Sequence, residues 1–296
     1  MKEMADHNIP VAQLPIISLA KIHTENASEI ATLEQAASST GLFFLDLRGD
    51  TQGERILARL PEIYTLAAEY FAQHEEIKLK DVRLDIFPSQ DLGWKSGYGG
   101  ESFEVRTLNL FQFSIDLVTN ITEQISRDEV ALKGTSITRL PKPFQDKWHS
   151  FTEFSAGCDE ACLTLLNSLS ASYAIHHRTS QRSDTGLKLV SHPSMAKLSD
   201  VVETLHTDSG TLTLLFYEDW GIHAFLRNAN KWAFTPPMEG CALINVGDSL
   251  QRLSDGKLHS PRHRVTQPVD GAKNRYYLSY FLRPETGYLE NKNATK

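Results

Sequence analysis

Four residues in the C-terminal third could do chemistry together: His206, Asp208, His263 and Arg275. His206 and Asp208 stand two apart at the head of HTDSGTLTLLF, where Thr211 and Thr213 alternate with Leu212 and Leu214. That alternation predicts a half-buried strand. In a strand, side chains two apart share a face, so His206 and Asp208 point one way and Thr207 the other. A third ligand from a distant strand would complete one face of an octahedron. Two histidines and a carboxylate so arranged leave three adjacent coordination positions, which suits non-haem Fe(II) and oxygen chemistry. Catalytic zinc, with three ligands and a water, is the alternative that the residue types leave open. His259 and His263 compete for the third place, and a strand would turn both to the same face. Arg275 is placed to grip a carboxylate, because a planar guanidinium pairs bidentately with one and a buried guanidinium needs such a partner.

A bare His-x-acid pair is a weak signal. His23-Thr24-Glu25 and His74-Glu75-Glu76 fit it too. The first lies in a polar lead-in to a helix. The second lies at a helix end, where side chains two apart diverge. Both read as solvated charge. Cys158 and Cys162, four apart in a helical pattern, read as small buried hydrophobes, since no nearby residue completes a metal site. His176-His177 follows a helix end, where positive charge suits the dipole.

The four residues need strands to hold them. Short β-type runs are expected at 187–192, 202–207, 211–217, 222–226, 242–246, 262–267 and 275–282. Turn signals at Asn228-Ala-Asn230, Pro236-Pro237 and Ser254-Asp-Gly256 separate them. The N-terminal part reads as mixed. Leu14 to Leu19 and Leu42 to Leu45 are short apolar strands. Between them Asn26 caps a helix, with Glu29 in the first turn as in a capping box, and Gly41 closes it. Arg55 to His74 is a second helix with Ile56, Leu60, Ile63, Tyr64, Ala67 and Phe71 on its apolar face, and Pro61 marks a kink or break. Phe87 to Ser102 reads as a loop holding Trp94 and Tyr98. Pro143 to Tyr173 carries the longest helical pattern. The fold class is therefore mainly β with flanking α.

Composition narrows the function classes. A chain of 296 residues, 41% apolar, can bury a substantial core. The net charge is −7 and there is no basic run, which argues against a nucleic-acid partner. No stretch approaches the roughly 20 apolar residues of a membrane span. MKEMADHNIP lacks the apolar region of a secretory signal, and three cysteines form no disulfide framework. The expectation is a cytoplasmic protein acting on a small molecule, with oligomeric state unread.

Several motifs recur in a fixed order: His206-Thr-Asp208-Ser-Gly210-Thr-Leu-Thr-Leu-Leu215, Asn245-Val-Gly247-Asp248-Ser-Leu250-Gln251, Ser254-Asp-Gly256, Ser260-Pro-Arg-His263-Arg264-Val265, and Arg275 followed by Phe281 to Pro284. Together they resemble the Fe(II)- and 2-oxoglutarate-dependent dioxygenase superfamily, in its isopenicillin N synthase-like branch and in the style of fungal biosynthetic members. The resemblance covers nearly the whole chain. It implies a double-stranded β-helix (jelly roll) core with an N-terminal helical region. Residues 1–120 would form an N-terminal αβ region, and 121–296 the oxygenase domain with the long supporting helix 143–173.

The resemblance also assigns roles. His206, Asp208 and His263 would hold Fe(II), with His263 taking the family position ahead of His259. 2-Oxoglutarate and O2 would be co-substrates, with the distal carboxylate of 2-oxoglutarate on Arg275 and Val265 lining the same pocket. Three positions depart from the family pattern. Val190 and His192 stand where relatives carry Asn and Tyr, and Tyr277 stands where they carry Ser. His192 and Tyr277 can each still donate a hydrogen bond to the co-substrate. Trp94, Tyr98, Phe216 and His223 are the expected substrate-pocket residues, while Asn245 and Asp248 read as a structural turn. The implied reaction is oxidation of an unactivated C–H bond of a small molecule by hydroxylation, desaturation or ring formation, in specialised-metabolite biosynthesis. The alternative is a co-substrate-independent iron oxidase or cyclase of the isopenicillin N synthase type.

Overall fold

The structure is a computed structural model, and it describes residues 10–83, 92–97, 100–106, 140–177, 183–193, 205–266, 274–285 and 288. Eleven strands in these residues form two sheets. In chain order they are β1 (Ile16–Ser18), β2 (Leu42–Asp46), β3 (Gly93–Gly97), β4 (Gly100–Arg106), β5 (Gly186–Pro193), β6 (Leu212–Tyr217), β7 (Ile222–Leu226), β8 (Lys231–Phe234), β9 (Cys241–Val246), β10 (His263–Val265) and β11 (Asn274–Leu282). The large sheet runs β1-β2-β9-β6-β11-β5-β4-β3 and the small one β10-β7-β8. Every pairing is antiparallel except β1 with β2.

Alternation along the central strands separates two faces. Leu187 and Leu189 of β5, Leu212, Leu214 and Phe216 of β6, and Leu278, Tyr280 and Leu282 of β11 belong to the main core. There they pack with residues of the helices Thr51–Phe71 and Trp148–Leu169. The intervening residues face the small sheet, where Leu215, Tyr217 and Tyr277 form a second cluster with Ile222 and Ala224. A side-chain period of two makes this division complete: each residue serves the helical core or the space between the sheets. Among the described residues, no helix is long and apolar enough to cross a membrane.

Local signals set the helix ends. Asn26 caps Ala27–Ser39 by accepting from the Glu29 amide at 3.1 Å. The Glu29 carboxylate does not close a capping box; it accepts from the Ser18 amide at 2.6 Å and ties the helix to β1. Gly41 follows with φ +67, a conformation that favours glycine, and any β-carbon there would strike the His259 carbonyl. The next helix begins at Thr51, ahead of the expected Arg55, because Asp50 accepts from the amides of Gln52 and Gly53. It runs through Pro61 without ending, held by burial of Ile56, Ile63, Ala67 and Tyr70.

Four sequence expectations differ from the structure. Of the stretch expected as a loop from Phe87 to Ser102, residues 87–91 and 98–99 lie outside the described residues, and the rest holds β3 and the start of β4, which pair antiparallel with Trp94 opposite Phe103. Its glycines hid the strand pattern. β8 was not expected; four residues after a turn are too short to show alternation. The expected helix 143–173 is three pieces, Lys142–Asp146, Trp148–Leu169 and Ala171–Ala174. Of the expected strand 202–207, residues 202–204 lie outside the described residues, and His206 makes a single bridge to His263.

Candidate metal centre

The bridge between His206 and His263 builds the centre. Each residue's amide donates to the other's carbonyl, at 3.0 Å and 2.9 Å. Two residues far apart in sequence thus stand side by side, with ring centroids 4.4 Å apart. Asp208 completes the set: its Oδ1 lies 3.7 Å from His206 Nε2 and 3.6 Å from His263 Nε2. One ligand atom from each residue falls within 4.8 Å of the other two. This is the only such group of His, Cys, Asp or Glu among the described residues. His259, the competing third histidine, is not part of it.

The end of β9 and the segment after it hold Asp208 in place. Asn245 Nδ2 donates to Asp208 Oδ2 at 3.0 Å. The Asp248 amide donates to the Asp208 carbonyl at 2.7 Å, and the Thr207 hydroxyl donates to the Asp248 carboxylate at 3.0 Å. The Ser249 amide and hydroxyl donate to the carbonyls of Gly210 and Ser209. The Asn-x-Gly-Asp-Ser motif is thus the clamp on the His-x-Asp loop. Asn245 therefore does more than form a turn, and its place in that motif was the available signal.

The electrostatics of the cluster keep Asp208 ionised. Burial alone would raise the Asp208 carboxyl, but the adjacent His263 and His206, with the Asn245 bond, outweigh it and hold the carboxyl below the usual carboxylate range. His263 Nδ1 lies 3.2 Å from the Pro261 carbonyl. A carbonyl can only accept, so Nδ1 is the donor, and the neutral tautomer with that proton leaves the Nε2 lone pair facing the cluster. Two imidazole nitrogens and one carboxylate oxygen fit Fe(II).

The cluster opens on a cavity of about 550 Å³ between the two sheets. Lys188, Val190 and His192 of β5 line it, with Tyr277, Ser279 and Phe281 of β11. Leu215, Ile222 and Val265 supply apolar wall, and the exposed Leu205 and His206 mark its open side. Ser279 and Phe281 were not expected here, although the same period of two that relates Arg275 to Tyr277 leads to both. His192 is buried, and that burial, with the charges of Arg275 and Lys188, pulls its imidazole down to about 4. It is therefore neutral near pH 7.

Arg275 is 1% exposed and directly opposite His192 on β5. Its Nε donates to the Trp220 carbonyl at 2.8 Å. Tyr277, two residues on along the same face, is 2% exposed.

The expected substrate-pocket residues fall elsewhere. Trp94 packs into the helical core and its Nε1 donates to Glu101 at 2.8 Å. Phe216 faces the same core, against Phe154. His223 points away from the cavity, stacked on Phe234 and accepting from Arg264 Nε at 3.2 Å, while its neighbour Ile222 takes the wall. For Phe216 and His223 alternation showed two faces without showing which one met the cavity, and Trp94 lies in a segment that read as a loop. Tyr98 lies outside the described residues.

The comparisons with known proteins agree with this chemistry. Residues 190–284 match the 2OG-Fe(II) oxygenase superfamily. A 2-oxoglutarate-dependent dioxygenase of Glarea lozoyensis, gloE, is 30% identical over 291 residues, spanning 92% of this chain and 80% of the relative. Another, frbH of a Dothideomycetidae species, is 28% identical over 96% of this chain and 85% of its own length. The fold is similar to that of Neurospora crassa T7H, solved with alpha-KG and 5-formyluracil: TM-score 0.69 at 19% identity, over 96% of this chain and 88% of that one. With its His-Asp-His centre, the chain belongs to the 2OG-Fe(II) oxygenase superfamily and is an oxidoreductase that uses Fe(II), 2-oxoglutarate and O2.

Proposed function

We propose that this enzyme oxidises an unactivated C–H bond of a small molecule in specialised-metabolite biosynthesis, with His206, Asp208 and His263 holding the iron and Arg275 receiving the distal carboxylate of 2-oxoglutarate. One observation carries the reading: the three donors converge at a cavity whose walls run along β11 toward a buried arginine. Bound iron with 2-oxoglutarate and O2 supplies the oxidising power. The remaining work falls to the chain. Asn245 orients the Asp208 carboxylate, and the Pro261 carbonyl sets the His263 tautomer. Val190, Leu215, Ile222, Val265 and Phe281 give the substrate an apolar wall and keep water out. Whether hydroxylation, desaturation or ring closure follows depends on how that wall holds the substrate.

The two facing sheets support a double-stranded β-helix reading of the core. The division into an N-terminal region 1–120 and an oxygenase domain 121–296 rests on sequence. The free cysteines Cys158, Cys162 and Cys241 fit a reducing, cytoplasmic setting.

Anaerobic titration with Fe(II), with and without 2-oxoglutarate, tests the assignment. The expected result is a weak visible charge-transfer band that needs both components and vanishes in Arg275→Ala while iron still binds. Iron binding without the band would instead favour the co-substrate-independent type of oxidase. Loss of neither band nor iron in Arg275→Ala would remove Arg275 from the assignment.

A further inference from the structure

The part of the cavity nearest Arg275 is built unlike the family pattern described above, and the difference has a structural counterpart in the turn between β6 and β7. We infer that Tyr277, seated against Gly221, is the specificity-determining residue that sets the length of the 2-oxo diacid this enzyme accepts. This rests on the assignment of Arg275 as the carboxylate partner.

Residues two apart on a strand are separated by about 7 Å along one face. Arg275, Tyr277 and Ser279 therefore stand in a row, with Ser279 and Tyr277 bordering the cavity and Arg275 beyond them. A ligand entering from the metal end meets the Tyr277 ring before the guanidinium. The ring is held from both sides: His192 lies edge-on at 6.0 Å and Tyr217 at 6.5 Å between centroids. It cannot swing aside without displacing one of them.

The phenol ends at Gly221. A β-carbon on residue 221 would overlap the Tyr277 hydroxyl oxygen. The backbone there is fixed. The Trp220 carbonyl accepts from Arg275, the Gly221 carbonyl accepts from the Thr266 amide at 2.7 Å, and the Ile222 carbonyl accepts from the Thr235 amide at 2.9 Å. Bonds on three successive carbonyls leave the turn little room to retreat. The absence of a side chain at 221 is what admits a tyrosine at 277. The same short turn thus anchors the arginine and seats the ring in front of it. A co-substrate whose far carboxylate meets the guanidinium along the edge of the phenol fits. A longer one requires the space the ring fills.

The test is a double-mutant cycle read as equilibrium binding. Mn(II)-loaded protein would be titrated anaerobically by calorimetry with 2-oxoglutarate and with 2-oxoadipate, one methylene longer. Thermal unfolding of each variant would report folding. The parent should prefer 2-oxoglutarate. Tyr277→Ser should shift the ratio of the two dissociation constants toward 2-oxoadipate by about tenfold. Gly221→Ala should weaken 2-oxoglutarate by about tenfold in the parent and by less than about twofold in the Tyr277→Ser background. An unchanged ratio in folded Tyr277→Ser, or an equal effect of Gly221→Ala in both backgrounds, overturns the inference while leaving the Arg275 assignment intact. If the parent and Arg275→Ala bind 2-oxoglutarate alike, that assignment fails and takes the inference with it.

Discussion

The two ends of the cavity are built by different rules. At the metal end, three residues from two separated segments are brought together by backbone bonds, and the carboxylate is already held by Asn245. Almost nothing there is adjustable, because a shift of one donor would break a bridge that positions another. At the Arg275 end, the charge is anchored by a backbone carbonyl and the surface is set by one large side chain. That surface changes with residue 277 alone, provided residue 221 makes room. Geometry that must satisfy an ion tolerates little variation, whereas a binding surface can be re-cut by a matched pair of substitutions.

The largest expected effect comes from breaking the metal end. Asp208→Ala removes the acidic ligand and strips Asn245 Nδ2 of its acceptor. Metal affinity should fall by more than about a hundredfold, measured by anaerobic Mn(II) or Fe(II) titration of folded protein. Parent-like affinity would mean that the two ends do not differ as described.

Asn245→Ala tests the clamp separately from the ligands. All three donors remain, but the carboxylate loses its orienting bond. The expected loss of metal affinity is about tenfold or more, with the preference between 2-oxoglutarate and 2-oxoadipate unchanged. A change in that preference would show that the ends are coupled rather than independent.

A smaller effect comes from pH. Burial pulls the imidazoles of His177 and His192 down to about 4, against an ordinary value of 6.5. Between those values the unfolded chain takes up protons that the folded protein does not. The stability they protect is complete above about pH 6.5 and is lost as the pH falls toward 4, at up to roughly 1 kcal/mol per site per pH unit. Melting temperature followed from pH 7 to 5 should fall. His192→Gln should reduce that slope and leave metal affinity at pH 7 unaltered. A flat profile in the parent would show that neither imidazole is shielded.

The candidate metal centre was legible in sequence because its signal is local and redundant. His206 and Asp208 lie in one strand-like run, and His263 comes in a motif of its own. The helix caps at Asn26 and the closing Gly41 were legible for the same reason. Phe216 and His223 face away from the cavity they were expected to line, and Trp94 lies on a strand where a loop was expected. A period of two states that a strand has two sides, and on a strand buried on both sides composition does not distinguish them. β6 is such a strand: all six of its residues are buried.

By itself, then, the sequence determined the chemistry on offer: which side chains can bind iron, and that an arginine able to pair with a carboxylate lies downstream. Only the tertiary structure decided which wall each residue joins, that Asn245 holds Asp208, and that Gly221 admits Tyr277. Those relations are contacts between strands far apart in the chain. They depend on how the sheets face each other and the helices, and no local periodicity encodes that distance.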